Sequence, residues 1–256
     1  MVIFVKILMR ILRLLFRLVV LGAVLVLLAY AAFQFCRWRG LILFSQEADP
    51  NQWEVFGVDA SVYQGEVDWT ALAAQGVDFA FLKATEGSSL QDVNFARNWA
   101  AAQAAGVRVG AYHFFSYDSP GETQADNFIS VVPVTPGALP PVVDIEFYGD
   151  NLKNPPDKDH VKAVLDPLLE RLEEHYGVKP ILYVTYRSYD LYLKKGYEDY
   201  LFWFSSPVVA PFWKPWTFWQ YSHSALLEGY SGGEERIDLN VFRGSREEFQ
   251  ELFGPG

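Results

Sequence analysis

The sequence has few of the residues that build disulfides and metal sites. Cys36 is the only cysteine among 256 residues, which excludes an intrachain disulfide and a cluster of thiolate ligands. The four histidines show no metal-ligand spacing, and the chain has neither a Gly-x-Ser-x-Gly elbow nor a phosphate-binding glycine loop. No internal repeat of fixed period is visible. These absences argue against repeat architectures, elbow-type serine hydrolases and P-loop enzymes.

Basic residues are scarce beyond residue 39. Residues 40–256 contain 15 lysines and arginines against 31 acidic residues, a net charge of −16. A domain this acidic has no electrostatic footprint for nucleic acid or anionic lipid. We therefore expect no nucleic-acid partner, and we interpret the charge as a contribution to solubility.

The first 39 residues have the composition of a membrane segment. Residues 18–35, LVVLGAVLVLLAYAAFQF, form an apolar run of 18 residues, at the short end of the length that spans a bilayer. Six basic residues flank this run: Lys6, Arg10, Arg13, Arg17, Arg37 and Arg39. Because four of them precede it, we expect a cytoplasmic N-terminus and an exported remainder.

A cleaved signal peptide is the alternative to a membrane anchor, since residues 29–31, AYA, form a passable cleavage site. The basic residues after the apolar run and the long basic start favour an uncleaved anchor. That interpretation predicts a single-pass protein of the cytoplasmic membrane. Its main domain would then lie on the periplasmic or extracellular side.

Apolar runs of strand length alternate with helical patterns after residue 54. Eight runs have the composition of strands: residues 55–59, 77–84, 107–115, 140–146, 180–186, 200–206, 216–222 and 236–242. Pro167 is expected to kink the longest helix or to mark its late start. The alternation predicts an α/β fold, an irregular (β/α) barrel of about eight mostly parallel strands. We assign the barrel to 55–256, a connector to 40–54 and the anchor to 1–39.

Two acidic residues close a run that otherwise resembles a buried strand. In LPPVVDIEFYGD, residues 139–150, the valines and the isoleucine suit a strand interior. Asp144 and Glu146 point to the same face because side chains alternate along a strand. Two residues advance a strand by about 6.6 Å, so two like charges share a small space and one pKa is expected to rise. Such a pair is suited to acid–base chemistry.

Polar residues end nearly every predicted strand, where barrel enzymes place their reactive groups. They are Asp59, Glu86, His113, Asp144, Glu146, Tyr183, Thr185, Ser205, Gln220 and Asp238. Four of these acids suit either a divalent metal site or glycoside hydrolysis. Aromatic residues beside the same strand ends favour a sugar, because their faces stack on pyranose rings. Lys83 is the only basic residue close to the first four ends, so we expect neither a metal nor a cofactor.

Seven motifs occur in the order and at the spacing of one known family. They are GVDASVYQGEVDW (57–69), FAFLKATEG (79–87), GAYHFF (110–115), LPPVVDIE (139–146), PILYVTY (180–186), FWQYS (218–222) and IDLNVF (237–242). Over residues 55–243 the chain resembles glycoside hydrolase family 25, the Chalaropsis-type lysozymes or N-acetylmuramidases. The resemblance implies an irregular α/β barrel that cleaves the β-1,4 bond between N-acetylmuramic acid and N-acetylglucosamine in peptidoglycan.

The resemblance also implies roles for individual residues. Glu146 is expected to be the general acid/base, and Asp144 to act on the N-acetyl group of the sugar or on the developing cation. Asp59 and Asp238 are expected to shape the pocket, and crowding by the other three carboxylates to raise the pKa of Glu146. Ten further residues are expected to bind the glycan: Tyr63, Gln64, Lys83, Glu86, Tyr112, His113, Tyr183, Trp203, Trp219 and Gln220.

Three alternatives remain open from the sequence. The barrel can be a catalytically silent glycan-binding protein, a hexosaminidase acting on another amino-sugar polymer, or a metal-dependent hydrolase. Asp144 can act as a nucleophile or support attack by the acetamido oxygen of the substrate itself. We expect a monomer whose partners are peptidoglycan strands and, through the N-terminal helix, the membrane.

Overall fold

The computed structural model describes residues 2–38, 52–207, 210–211 and 213–254. The chain divides into two compact units, Met1–Leu43 and Phe44–Gly256. Most of the predicted connector, residues 40–51, lies outside the described residues.

The first unit is one long helix, α1, at Val2–Trp38. Its stretch Met9–Phe33 is 25 residues long and passes the length and composition test for a membrane span. A helix of that length extends about 37 Å, which exceeds the roughly 30 Å hydrocarbon core of a bilayer. Signal sequences share these properties, so α1 is a candidate anchor or a candidate signal peptide.

The second unit is built on nine strands. They are β1 (Phe56–Ala60), β2 (Phe79–Glu86), β3 (Leu90–Gln91), β4 (Arg108–Phe114), β5 (Val142–Ile145), β6 (Ile181–Thr185), β7 (Phe202–Ser205), β8 (Phe218–Ala225) and β9 (Ile237–Phe242). Eight correspond to the predicted runs. The ninth, β3, is a two-residue strand that pairs antiparallel with β2.

The eight long strands close into a barrel. The order is β1-β9-β8-β7-β6-β5-β4-β2, and β1 pairs with β2 to complete the ring. Six neighbouring pairs are parallel, whereas β9 runs antiparallel to both β1 and β8. The predicted barrel of mostly parallel strands is therefore confirmed.

Helices surround the barrel, and the last of them closes the end opposite the C-termini of the parallel strands. They are α2 (Trp69–Ala74), α3 (Phe95–Ala104), α4 (Gly121–Val131), α5 (Lys158–Tyr176), the single turn α6 (Tyr186–Ser188) and α7 (Arg246–Phe253). Short 3₁₀ turns at Val62–Gln64 and Gly149–Leu152 and a π-helical stretch at Tyr189–Leu193 complete the described helical segments. The expected late start at Pro167 is wrong, because α5 runs through this residue. A Cβ on Gly121 would lie 2.0 Å from the carbonyl oxygen of Val164, so the start of α4 can approach α5 closely only with glycine there.

Large aromatic side chains fill the barrel interior. Phe81 stacks on Trp203 with ring centroids 4.4 Å apart and meets Phe218 edge to face. At the opposite end from the strand C-termini, α7 places Phe249 and Phe253 in the same interior cluster. The helix begins with a capping box in which Ser245 and Glu248 bond each other's backbone N–H. Aromatic packing thus closes the floor of the barrel, and polar side chains lie at its mouth.

Candidate active site

A cavity of about 230 Å³ lies at the C-terminal ends of the strands. Its lining residues are Asp59, Ala60, Ser61, Tyr63, Gln64, Lys83, Tyr112, Phe114, Asp144, Glu146, Tyr183, Trp203, Gln220, Glu234 and Asp238. All four predicted catalytic carboxylates are in this set. So are seven of the ten residues expected to bind the glycan.

Strand alternation explains how Asp144 and Glu146 reach the cavity. Asp144 lies within β5 and Glu146 directly follows it, so both point inward while Val143 and Ile145 pack outward in the core. The Asp144 side chain is only 6% exposed, and its Oδ1 has no hydrogen-bond partner among the described residues. A buried acceptor left in this way is costly in a folded protein unless a ligand completes it.

Asp59 and Asp238 form the opposite wall of the cavity. They are direct cross-strand partners on β1 and β9, which brings their side chains to the same face. The Gln220 Nε2 donates to Oδ2 of both, at 2.9 Å to Asp59 and 3.1 Å to Asp238. Asn240 Nδ2 also donates to Asp59 Oδ2, at 2.8 Å.

Burial raises the pKa of every one of these carboxyls. The pKa of Asp59 rises from 3.8 to about 6, because burial outweighs the opposing hydrogen bonds from Asn240 and Gln220. That of Asp238 rises to about 9, first through burial and then through the charge of Asp59. The pKa of Asp144 rises well above its ordinary value through burial and then through Glu146.

The pKa of Glu146 also rises, through burial first and the charge of Asp59 second. Of the three carboxylates expected to crowd Glu146, Asp59 is the one that contributes to this rise, and burial contributes more. The shift is also shared by all four acids rather than confined to one. Charged carboxylates are expensive away from water, and this mouth holds several of them in a small volume.

Lys83 is the cation among the lining residues of this mouth. Its Nζ lies 2.7 Å from Glu86 Oε2 and 4.9 Å from the centre of the Phe114 ring. The positive charge lowers the pKa of both Asp144 and Glu146 and so opposes the effect of burial. The charge of Lys83 thus limits the rise in the pKa of Asp144 and Glu146.

Aromatic rings line one side of the cavity. Trp203 lies 4.5 Å from Tyr183 and 6.5 Å from Tyr112 between ring centroids, edge to face in both cases. Tyr63 is 59% exposed at the rim, on the 3₁₀ turn that follows β1. Tyr63 therefore offers an exposed flat face that suits a sugar, whereas Trp203 and Tyr183 are almost fully buried beneath the cavity.

Three predicted glycan-binding residues do not line the mouth. His113 points outward from β4 and is fully buried between Thr85 Oγ1, at 2.7 Å from Nδ1, and Gln124 Oε1, at 3.0 Å from Nε2. Burial lowers its pKa to about 4, so it stays neutral near neutral pH. Its contacts position the loop after β4, because Gln124 also bonds the backbone of Ser116.

Trp219 and Glu86 are the other two corrections. Trp219 points outward from β8, packs against Trp53 and Trp216, and donates from Nε1 to the Ser206 carbonyl at 2.9 Å. Glu86 does not line the cavity, but it forms an ion pair with Lys83 and its charge contributes to the raised pKa of Asp144. His113 and Trp219 each lie one position along the strand from an inward-facing residue. Because side chains alternate between the two faces of a strand, the sequence itself indicated that both point outward.

Three polar residues of the site were not predicted from the sequence, and neither were Ala60 and Phe114, which also line the cavity. Ser61 and Glu234 line the cavity from loops, and the buried Asn240 contacts Asp59 from β9. Asn240 is two residues beyond Asp238 and therefore on the same face, which the motif IDLNVF contains as a signal. Glu234 comes from a loop whose path no local pattern specifies. Among the described residues, no group of three or more His, Cys, Asp or Glu side chains is arranged to hold a metal ion.

Known proteins share this fold. The family model described as Glycosyl hydrolases family 25 matches residues 58–230. Lysozyme M1 of Streptomyces globisporus is 30% identical over 214 residues, which cover 75% of this chain and 68% of the relative.

Two solved structures are similar over the barrel. A family 25 glycosyl hydrolase from Bacillus anthracis has 48% identity and a TM-score of 0.76, covering 81% of this chain and 96% of its own. The bacterial lysozyme from Streptomyces coelicolor has 29% identity and a TM-score of 0.69, covering 78% and 97%. The chain therefore belongs to glycosyl hydrolase family 25 and is a glycoside hydrolase.

Proposed function

We propose that this protein is a muramidase that cleaves the β-1,4 bond between N-acetylmuramic acid and N-acetylglucosamine in peptidoglycan. The observation that carries the proposal is the meeting of Asp144 and Glu146 with Asp59 and Asp238 in one cavity of a family 25 barrel. The names of relatives support the substrate, because lysozymes and an N,O-diacetylmuramidase are among them.

Glu146 is the proposed general acid. Its pKa is raised by burial and by Asp59, so a protonated fraction persists to higher pH than in an ordinary glutamate. The protonated carboxyl donates its proton to the glycosidic oxygen as the bond to the anomeric carbon breaks. The resulting Glu146 carboxylate then takes a proton from the water that attacks the anomeric carbon in the second step.

Asp144 is the proposed partner of the acetamido group. Its buried Oδ1 has no hydrogen-bond partner among the described residues, and an amide N–H of the substrate would complete it. Held by that bond, the acetamido carbonyl oxygen attacks the anomeric carbon and forms a cyclic intermediate, which water opens. Two displacements give net retention, so an inverted anomeric product seen by NMR would contradict this route.

The test of the function is an analysis of released ends. Full-length protein in detergent is incubated with purified peptidoglycan, and new reducing ends are reduced with borohydride and identified by mass spectrometry. We expect reduced muramic acid from the wild type. We expect a loss of about 10²–10⁴-fold from Glu146→Gln, because general acid catalysis is worth that much. Glu122→Gln, at an exposed position on α4, is the matched control and should keep full activity.

Other products would point to other functions. Reduced glucosamine ends would show cleavage of the alternate bond and contradict the muramidase assignment. Binding of peptidoglycan without new ends would identify a silent glycan-binding barrel.

We also propose that α1 anchors the enzyme in the cytoplasmic membrane, with the barrel exported. The apolar span of α1 and the basic residues before it support this orientation. Intact mass of the protein recovered from membranes tests it. The full chain is expected, whereas a product shortened near residues 29–31 would show a cleaved signal peptide.

A further inference from the structure

Two buried amides lie between the barrel aromatics and the acids of the mouth. Gln220 is 2% exposed and Asn240 is fully buried. Gln220 lies on β8 and Asn240 on β9, both at inward-facing positions, and the two are direct cross-strand partners. A buried amide has two donors and one acceptor that need partners, so its orientation is decided by its neighbours.

The orientation of Asn240 is fixed by Trp203. The indole Nε1–H of Trp203 lies 2.8 Å from Asn240 Oδ1. An indole N–H can only donate, so the amide oxygen must face it. The Asn240 Nδ2 is then turned toward Asp59 Oδ2, to which it donates at 2.8 Å.

The orientation of Gln220 follows from both of its neighbours, because a phenolic hydroxyl such as that of Tyr183 can donate or accept, whereas an ionised carboxylate such as that of Asp59 can only accept. The Tyr183 hydroxyl donates to Gln220 Oε1 at 2.8 Å. Burial raises the pKa of Tyr183 well above its ordinary value, so its hydroxyl keeps the proton that this bond requires. The Gln220 Nε2 therefore faces Asp59 and Asp238 and donates to both.

Two hydrogen-bond chains, Trp203–Asn240 and Tyr183–Gln220, both end at Asp59 Oδ2, and together we call them the relay. Asp59 Oδ2 accepts from both amides, whereas Asp238 Oδ2 accepts, among the described residues, from Gln220 alone and at a longer distance. Donors aimed at a carboxylate stabilise its charged form. We propose that Gln220 and Asn240 are positioning residues that keep Asp59 ionised and leave the shared proton of this pair on Asp238.

The ionisation of Asp59 in turn affects the pKa of Glu146. The ionisable groups that line this space are Asp59, Tyr63, Lys83, Tyr112, Asp144, Glu146, Tyr183, Glu234 and Asp238. Among them the charge of Asp59 raises the pKa of Glu146, and that of Lys83 lowers it. The relay thus helps Glu146 to keep its proton, an inference that rests on the proposed role of Glu146.

The direction of the pKa values agrees with this division. Asp59 has a pKa of about 6 and Asp238 of about 9, so near neutral pH Asp59 is mostly ionised and Asp238 is protonated. The hydrogen bonds of Asn240 and Gln220 are the two influences that lower the pKa of Asp59.

The experiment removes one donor and follows the ionisation of Asp59 and the activity together. Asn240→Leu keeps the size of the side chain and loses the amide. In full-length protein with ¹³C-labelled aspartate carboxyls, the Asp59 signal is assigned by its absence in Asp59→Asn. Loss of one charge-assisted hydrogen bond should move the Asp59 titration upward by about one pH unit. Because Asp59 then stays neutral to higher pH, the basic limb of the kcat/KM profile should move to lower pH.

The chain offers a matched control in Asn98→Leu. Asn98 is also buried and accepts a hydrogen bond from an indole, Trp69 Nε1, at 3.3 Å, but it lies on α3 away from the mouth. This variant should lose stability to a similar extent and leave both the Asp59 titration and the pH profile where they are. Gln220→Met removes the second donor and gives the same test if Asn240→Leu does not fold.

The outcomes separate the relay from the proposed function. An Asp59 titration that does not move in a folded Asn240→Leu or Gln220→Met variant overturns the relay, whatever the activity. If the Asp59 titration moves but the basic limb of the kcat/KM profile does not, the link between the relay and Glu146 is overturned. A titration that moves in a protein without any hydrolytic activity supports the relay and counts against the muramidase assignment alone.

Discussion

Asp238→Asn should stabilise the barrel at neutral and alkaline pH while removing a group from the site. In the unfolded chain Asp238 ionises near its ordinary pKa of 3.8, whereas in the folded protein it keeps its proton up to about pH 9. Folding therefore takes up a proton between these values. The stability contributed by the carboxyl is complete below pH 3.8 and is lost progressively as the pH rises to about 9.

The size of the effect follows from the width of that window. Each pH unit above the ordinary pKa lowers the free energy of unfolding by about 1.4 kcal/mol. The roughly three units between the ordinary pKa and pH 7 therefore correspond to about 4 kcal/mol. Asp238 retains partial exposure, and solvent screening reduces this value. We expect a gain of about 2 kcal/mol at pH 7 for Asp238→Asn and a larger gain at pH 9.

The assay is urea unfolding of the full-length protein in detergent at pH 5, 7 and 9, followed by tryptophan fluorescence. The gain should grow with pH. Asp118→Asn neutralises an exposed carboxyl and should not change the pH dependence. Equal stability of wild type and Asp238→Asn at pH 9 would show that Asp238 ionises as readily in the folded protein as in the unfolded chain, contrary to this prediction.

Two further predictions concern packing. Phe249→Ala removes a ring that lies 5.8 Å from Phe79 and 5.2 Å from Phe242 between centroids, and urea unfolding should show a loss of about 3 kcal/mol. Leu252→Ala, exposed on the same helix, should cost less than about 0.5 kcal/mol, and equal losses would show that α7 does not seal the floor. Trp219→Phe should cost about 1 kcal/mol through its lost hydrogen bond to Ser206 and leave KM for peptidoglycan unchanged. A several-fold rise in KM would place Trp219 at the glycan.

The inward direction of the acids was predictable because it depends on local geometry. Side chains two apart on a strand share a face, and this alone placed Asp144 with Glu146. The same rule separates Tyr112 and Phe114, which line the cavity, from His113, which does not. His113 and Trp219 were predicted to bind the glycan because they occur in the motifs. Strand alternation, which was not applied to them, places both on the outer face of the barrel.

Other features depend on contacts distant in sequence. The antiparallel direction of β9 has no local signature, since apolar spacing is the same whichever way a strand runs. The bond from Asn240 to Asp59 spans 181 positions along the chain. The helix α7 did have a local signal, because Ser245 and Glu248 form a capping box before Phe249 and Phe253.

Titration of the Glu146 carboxyl tests the account most directly. Full-length protein with ¹³C-labelled glutamate carboxyls gives the midpoint of its ionisation, with the signal assigned by its absence in Glu146→Gln. We expect a midpoint above the ordinary value of 4.5, because burial and the charge of Asp59 both favour the neutral form. A midpoint at or below 4.5 would mean that the mouth holds no protonated glutamate ready to act as the acid.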